Sequence, residues 1–187
     1  SRQPRAEVEV LRVSDVAPRV PNGRVERAQF HLFVLYLRGR CAHDVDFEVH
    51  PCAPGTLVRV RPGQVQRWRL RSDIEGTVLV FKPAFLFPDR PRTGALWTER
   101  FFEDVAWPAA LHLAGGHLAA AEDWFARLER TAREVDDSPI ATALLRHLVS
   151  AALLDLARRC ELGRAPSPLD AAERTRARQL EADVERS

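Results

Sequence analysis

Hydrophobic and polar positions change places every few residues along residues 29–81. Short runs of Val, Leu, Phe and Tyr are separated by turn signals at Arg38-Gly39, Pro54-Gly55, Pro62-Gly63 and Glu75-Gly76. That spacing leaves no room for helices of ordinary length and predicts closely spaced strands of an antiparallel barrel or sandwich. Over residues 57–61 the alternation is strict, with Val58 and Val60 on one face and Leu57, Arg59 and Arg61 on the other. This predicts a strand with Val58 and Val60 inward and one wet side. Residues 30–38 are apolar on both faces, so a cover is expected on the outer side too, with the later helices as the obvious source. Residues 7–13 alternate Val8 and Val10 with Glu7, Glu9 and Arg12, a further half-buried strand, while residues 1–5 read as disordered.

After Phe81 the pattern shifts to helical spacing. Lys82-Pro83, Pro88, Pro91 and Thr93-Gly94 predict a loop-rich crossover, and residues 98–106 a short helix with Phe101, Phe102 and Val105 on one side. Gly115-Gly116 is expected to break the chain before a helix that starts at His117 and stops near Asp136-Asp137. Leu118, Ala121, Phe125, Leu128, Ala132 and Val135 form its apolar stripe. Ser138 as N-cap and Pro139 at the first helical position open the next helix. Its apolar residues cover nearly the whole circumference, so it needs burial on more than one side. The preceding helix and the sheet supply one side and a second copy of the chain the other, which predicts a homodimer with Leu145, Leu148, Ala152 and Leu156 as candidate interface residues. The alternative is a central helix in a monomer's own core. Gly163, Pro166, Ser167 and Pro168 predict a linker, and residues 169–185 a solvated, Arg- and Glu-rich helix.

Composition bounds the function without naming it. A chain of 187 residues with 45% hydrophobic and 29% charged content can bury one full core. Lys82 is the only lysine among 28 basic residues and methionine is absent, a bias that points to GC-rich coding. The net charge of +2 is too small to argue for a nucleic-acid surface. No apolar run is expected to cross a bilayer and no hydrophobic signal segment follows the N-terminus, so a cytoplasmic protein is expected. Cys41, Cys52 and Cys160 are odd in number and lack C-x-x-C spacing. They suggest neither a disulfide framework nor a zinc site, and read as reduced, largely buried thiols.

The order Arg38-Gly39, His43 with Val45-Asp46-Phe47, Pro54-Gly55, Pro62-Gly63-Gln64-Val65, Trp68, then Gly76 and Phe81 resembles the sensor domain of AraC/XylS-type transcription regulators. In layout the resemblance runs from about Phe30 to the C-terminus, although the specific motifs lie between Arg38 and Phe81. It implies a mixed α and β fold, an N-terminal antiparallel cupin (jelly-roll-like) β-barrel followed by a C-terminal helical dimerisation segment. The implied division is a barrel with an N-terminal arm over residues 1–93, the helical segment over 94–165, and over 166–187 a linker with the start of a DNA-binding domain. It also implies a bacterial regulator that takes a small-molecule effector, forms a homodimer, and contacts DNA through a C-terminal helix-turn-helix domain not present in this chain. Two departures stand out. Cys41 sits where many relatives carry a second glycine, and Gln66 sits where the motif usually ends in histidine.

The second departure removes a nitrogen ligand that metal-binding cupins use, so neither metal nor other cofactor is expected. His43 and His50 are seven apart, which places them on opposite faces of a regular strand. Asp44, Asp46 and Glu48 read as an acidic, solvated strand face. No G-x-S-x-G setting surrounds any serine, and no catalytic residue is expected. A ligand pocket belongs in the barrel interior. Alternation puts Tyr36 and Arg38 on one face of their strand, and Gln66 and Trp68 on one face of theirs; these four are the candidate ligand-binding residues. Gln66 offers an amide, Trp68 a stacking surface, and Arg38, if inward, a planar fork for a carboxylate or a row of hydroxyls. Each has a structural alternative: Trp68 as plain core, Gln66 as partner to a buried backbone group, Arg38 as a solvated turn residue. The competing function is a small cupin enzyme, an isomerase or a metal-dependent dioxygenase.

Overall fold

A computed structural model describes residues 7–18, 22–71, 73–86, 107–134, 136 and 138–160. The expected disordered N-terminus, the helix over 98–106, the linker, the final charged helix and both expected domain boundaries lie outside the described residues. Nine strands form two antiparallel sheets. The first has the order β1 (Val8–Arg12), β8 (Glu75–Phe81), β3 (His31–Arg38), β6 (Thr56–Val60), β9 (Ala110–His112). The second has the order β2 (Val25–Arg27), β7 (Val65–Arg69), β4 (Cys41–Val45), β5 (Glu48–Cys52). The two remain separate hydrogen-bonded sheets, so the fold is mixed α and β, with an open, sandwich-like jelly roll in place of a closed barrel.

The anticipated turn glycines earn their places by geometry. Gly55 has φ +89°, a region that costs an L side chain, and a Cβ there would run into the Leu113 carbonyl. Gly76 faces Tyr36 across the β3–β8 ladder, where a Cβ would collide with the Leu35 carbonyl. The β4–β5 turn escaped detection because it contains no glycine. Asp46 and Phe47 both have positive φ, 48° and 70°, which makes a two-residue primed turn between Val45 and Glu48.

That hairpin overturns two expectations. His43 and His50 lie on two strands, directly opposite one another, so they share a face. Asp44, Asp46 and Glu48 do not form one wet face either: Asp44 is buried, Asp46 is in the turn and Glu48 begins β5.

The first sheet is buried on both sides. Leu32, Val34 and Tyr36 of β3 join Val58, Val60, Trp68 and Val78 between the sheets. Phe33 and Leu35 of the same strand join Leu57, Leu79, Phe81 and the helices in a second core. The expected cover over β3 is therefore present, and it extends over β6, whose five residues are all buried. This removes the wet side expected for residues 57–61. Arg59 is covered by β9, its backbone N–H donating to Ala109 O at 2.8 Å, and its guanidinium lies 5.9 Å from the Phe33 ring centre. Burial, helped by neighbouring Arg61, pulls its pKa down to about 10.

Besides the single turns α1 (Val13–Val16) and α2 (Pro83–Leu86), two long helices cover the first sheet. Gly115 and Gly116 do not break the chain; they are the first turn of α3 (Gly115–Glu134), whose Ala121, Phe125 and Leu128 are buried as the stripe requires. In α4 (Pro139–Arg159) Ser138 is the N-cap, its Oγ accepting from Ala141 N–H at 3.2 Å, with Pro139 following it. This helix is, contrary to expectation, long and apolar enough to cross a membrane by length and composition. In the structure one side of it fills the second core with Leu145, Val149, Ala152, Leu153 and Leu156, and Arg146 ties it to α2 by donating to Phe85 O at 2.6 Å.

Candidate functional site

Between the two sheets, three of the four candidate residues converge on a histidine. Tyr36 of β3, Gln66 and Trp68 of β7 and His43 of β4 are all buried. β4 and β7 are paired with His43 opposite Trp68, and strand alternation turns Gln66 to the same side. The Gln66 carbonyl Oε1 lies 3.1 Å from His43 Nε2, and the Tyr36 hydroxyl lies 3.1 Å from His43 Nδ1. Because Oε1 only accepts, Nε2 carries the proton and Nδ1 accepts from the tyrosine, which sets a neutral tautomer and a directed chain Tyr36 to His43 to Gln66. The Trp68 ring lies 4.5 Å from the imidazole, tilted by 37°.

Burial sets the charge state of this chain. Loss of water pulls the His43 pKa down to about 4, against the smaller opposing effect of the Gln66 hydrogen bond. Burial likewise drives the Tyr36 hydroxyl well above its ordinary range. The cluster is thus uncharged near neutrality, a set of donors and acceptors in an apolar surround. His50 faces the same space, and its Nε2 is buried without a hydrogen-bond partner among the described residues. Such an orphan is one more buried polar atom on this side of the hairpin.

Arg38 does not join them. The β3–β8 register shifts between Tyr36 and Arg38, and this bulge breaks the alternation that would have aimed Arg38 inward. Its side chain is 73% exposed and pairs with Glu75 at 3.0 Å. The candidate interface residues divide as well. Leu145, Ala152 and Leu156 are buried in the chain's own core, since the side of α4 that they occupy faces inward, while Leu148, half-buried, sits at the edge of that side and packs partly against the core. The outward side carries Ile140, 84% exposed, and Leu144, 46% exposed.

Sequence reasoning passed over His43 as a site residue because it treated residues 43–50 as one strand. A two-residue turn at Asp46-Phe47 was the signal that would have paired His43 with His50. With both His43 nitrogens engaged, no group of three or more His, Cys, Asp or Glu side chains among the described residues is arranged to hold a metal. On the opposite face of the hairpin Asp44 accepts from Arg67 Nε at 2.6 Å and Arg69 NH2 at 2.8 Å. Burial pushes its carboxyl up, and the two arginines outweigh this and hold it below the usual carboxylate range. A groove of about 520 Å³ between α3 and α4 is lined by Trp124, Arg127, Asp155 and Arg159. Its central acid is already held by Trp124 Nε1 at 3.0 Å and Arg159 at 2.7 Å.

No family model and no curated protein sequence matches the chain. Solved structures do. The AraC-like transcriptional activator CuxR is 15% identical with a TM-score of 0.45, over 79% of this chain and 52% of that one. ToxT of Vibrio cholerae is 11% identical with a TM-score of 0.43, over 90% of this chain and 62% of that one. A Cupin 2 conserved barrel domain protein from Salinispora arenicola is 13% identical with a TM-score of 0.30, over 45% of this chain and 72% of that one. The chain matches each of these structures only in part, with every TM-score below 0.5. It spans about half the length of CuxR and about three fifths of ToxT.

Proposed function

We propose that this chain is the effector-binding and dimerisation part of an AraC-type bacterial transcription regulator, working in the cytoplasm and acting on DNA through a domain outside this sequence. The observation that carries the reading is the uncharged chain Tyr36, His43, Gln66 under Trp68, set in an apolar space between two sheets. A few convergent polar groups among apolar side chains suit a small molecule held by hydrogen bonds and ring stacking. Gln66 in place of a histidine ligand and the absence of a nucleophile setting favour sensing over catalysis, and the motif order over residues 38–81 supports the same family.

Dimerisation is assigned to the outward side of α4. Ile140 and Leu144 are exposed at one-turn spacing, Ala151 is exposed and Leu148 half-buried further along the same side. A stripe of that kind on a helix otherwise locked into the core is suited to a second copy. The effect of a ligand on DNA requires that it bind two arrangements of the dimer unequally.

A thermal-shift screen of small sugars, carboxylic acids and aromatic acids tests the ligand site. A compound that raises Tm of the wild type and loses most of that shift in Gln66→Leu supports it; equal shifts in both remove Gln66 from the site.

A further inference from the structure

Cys41 and Cys52 stand directly opposite each other on β4 and β5. The two-residue turn makes Val45 and Glu48 a hydrogen-bonded pair, and every second pair away from it is of the same type, Cys41 with Cys52 included. Pro51 falls on an intervening pair, where β4 makes no demand on its missing N–H. The Cα atoms of a hydrogen-bonded pair lie about 5.5 Å apart, inside the span of roughly 4.4–6.8 Å that a disulfide bridges. Both cysteines are free. Both thiols lie near enough to each other and to the Tyr36 hydroxyl to influence one another's acidity.

The two sulfurs are not equivalent. Cys52 is buried, and its thiol donates to His50 O at 3.4 Å; Cys41 is half-buried and is the one a solute can reach. The neighbouring Cys52 thiol draws the Cys41 thiol below its ordinary pKa despite burial, and Tyr36 assists. The same contact, with burial, drives the Cys52 thiol well above its own. The more accessible sulfur thereby gains thiolate character.

We propose that Cys41 and Cys52 form an oxidation site for hydroperoxides, with Cys41 as the attacking sulfur and Cys52 as the resolving one. The Cys41 thiolate attacks a peroxide oxygen, the O–O bond breaks, and the departing alkoxide or hydroxide takes a proton, leaving Cys41 sulfenic acid. The Cys52 sulfur then attacks Cys41, the S–O bond breaks, and water leaves with the Cys52 proton. In sum two thiols and one hydrogen peroxide yield one disulfide and two waters, the sulfurs oxidised and the peroxide reduced. The new bond replaces both thiols beside Tyr36, the residue that also donates to His43, so oxidation reaches the edge of the interior cluster.

Equimolar hydrogen peroxide added to the full chain tests this, with intact-mass and peptide mapping. The expected result is a loss of about 2 Da, a peptide joining Cys41 to Cys52, reversal by dithiothreitol, and a Cys160 that still alkylates. Cys52→Ser is expected to accumulate a Cys41 sulfenic acid trapped by dimedone, and Cys41→Ser to give no trapped product. Absence of the joined peptide, or oxidation of Cys160 ahead of the pair, overturns the proposal. Should the serine variants not fold, phenylarsine oxide on the wild type decides, since it needs two sulfurs within bridging distance. Binding of one equivalent that blocks peroxide oxidation supports the pair, and no binding removes it.

Discussion

Tyr36, His43 and Gln66 each complete a neighbour's hydrogen bonding, so removing any one strands a polar atom in an apolar space. Tyr36→Phe and Gln66→Leu are expected to cost about 1–3 kcal/mol each in urea denaturation, the range for an orphaned buried group. Trp68→Ala is expected to cost about 3–5 kcal/mol, as large aromatic deletions do. The pH dependence follows from the same burial. His43 and His31 are both held near pKa 4 in the fold, chiefly by burial, against about 6.5 when unfolded. The unfolded chain therefore takes up protons first as pH falls. The stabilisation is fully present above about pH 6.5 and is lost between there and about pH 4, up to roughly 3 kcal/mol for each histidine. Urea midpoints measured from pH 7.5 to 4.5 should fall on acidification, and less steeply in His43→Gln; a flat profile contradicts the buried neutral pair. The residue types at the interior were legible in advance from strand alternation at Tyr36, Gln66 and Trp68. Arg38 was not, because a single bulged residue reverses the side a chain faces and leaves no mark in the hydrophobic pattern.

Each long element serves two neighbours. In α4 the inner side belongs to the monomer and the outer side is free, so substitutions on the two sides should have different signatures. Leu145→Ala is expected to destabilise the fold by about 2–5 kcal/mol. Ile140→Glu should leave folding within about 0.5 kcal/mol while weakening self-association. Helical apolarity all round implied burial on more than one side, yet it did not say which side met the chain's own core. That depends on the rotation of the helix about its axis, set here by the sheet and by Arg146 reaching Phe85 O. The helix start was legible to the residue, because Ser138 and Pro139 carry their own geometry. The β4–β5 hairpin was not, since Asp46-Phe47 reaches positive φ without glycine. Its register, once seen, delivers both the His43–His50 and the Cys41–Cys52 pairs.

In the whole molecule the first sheet lies between the interior cluster and the two long helices. β3 turns Leu32, Val34 and Tyr36 toward the interior cluster and Phe33 and Leu35 toward the helices. A ligand or a disulfide that moves Tyr36 acts on the strand that α3 and α4 rest against. The alternation of residues 29–81 and the helical spacing after Gly115 were enough to give the fold class. The two-sided burial of β6 was less plain, because Arg59 looked like a wet position until β9 covered it. The measurement that bears most directly on the proposed regulator dimer is sedimentation equilibrium at micromolar concentration, on wild type and on the Ile140→Glu, Leu144→Glu double variant. A wild-type dimer and a variant that sediments as a folded monomer, with unchanged near-UV circular dichroism, is the expected result. A wild-type monomer, or a dimer that survives both glutamates, contradicts it.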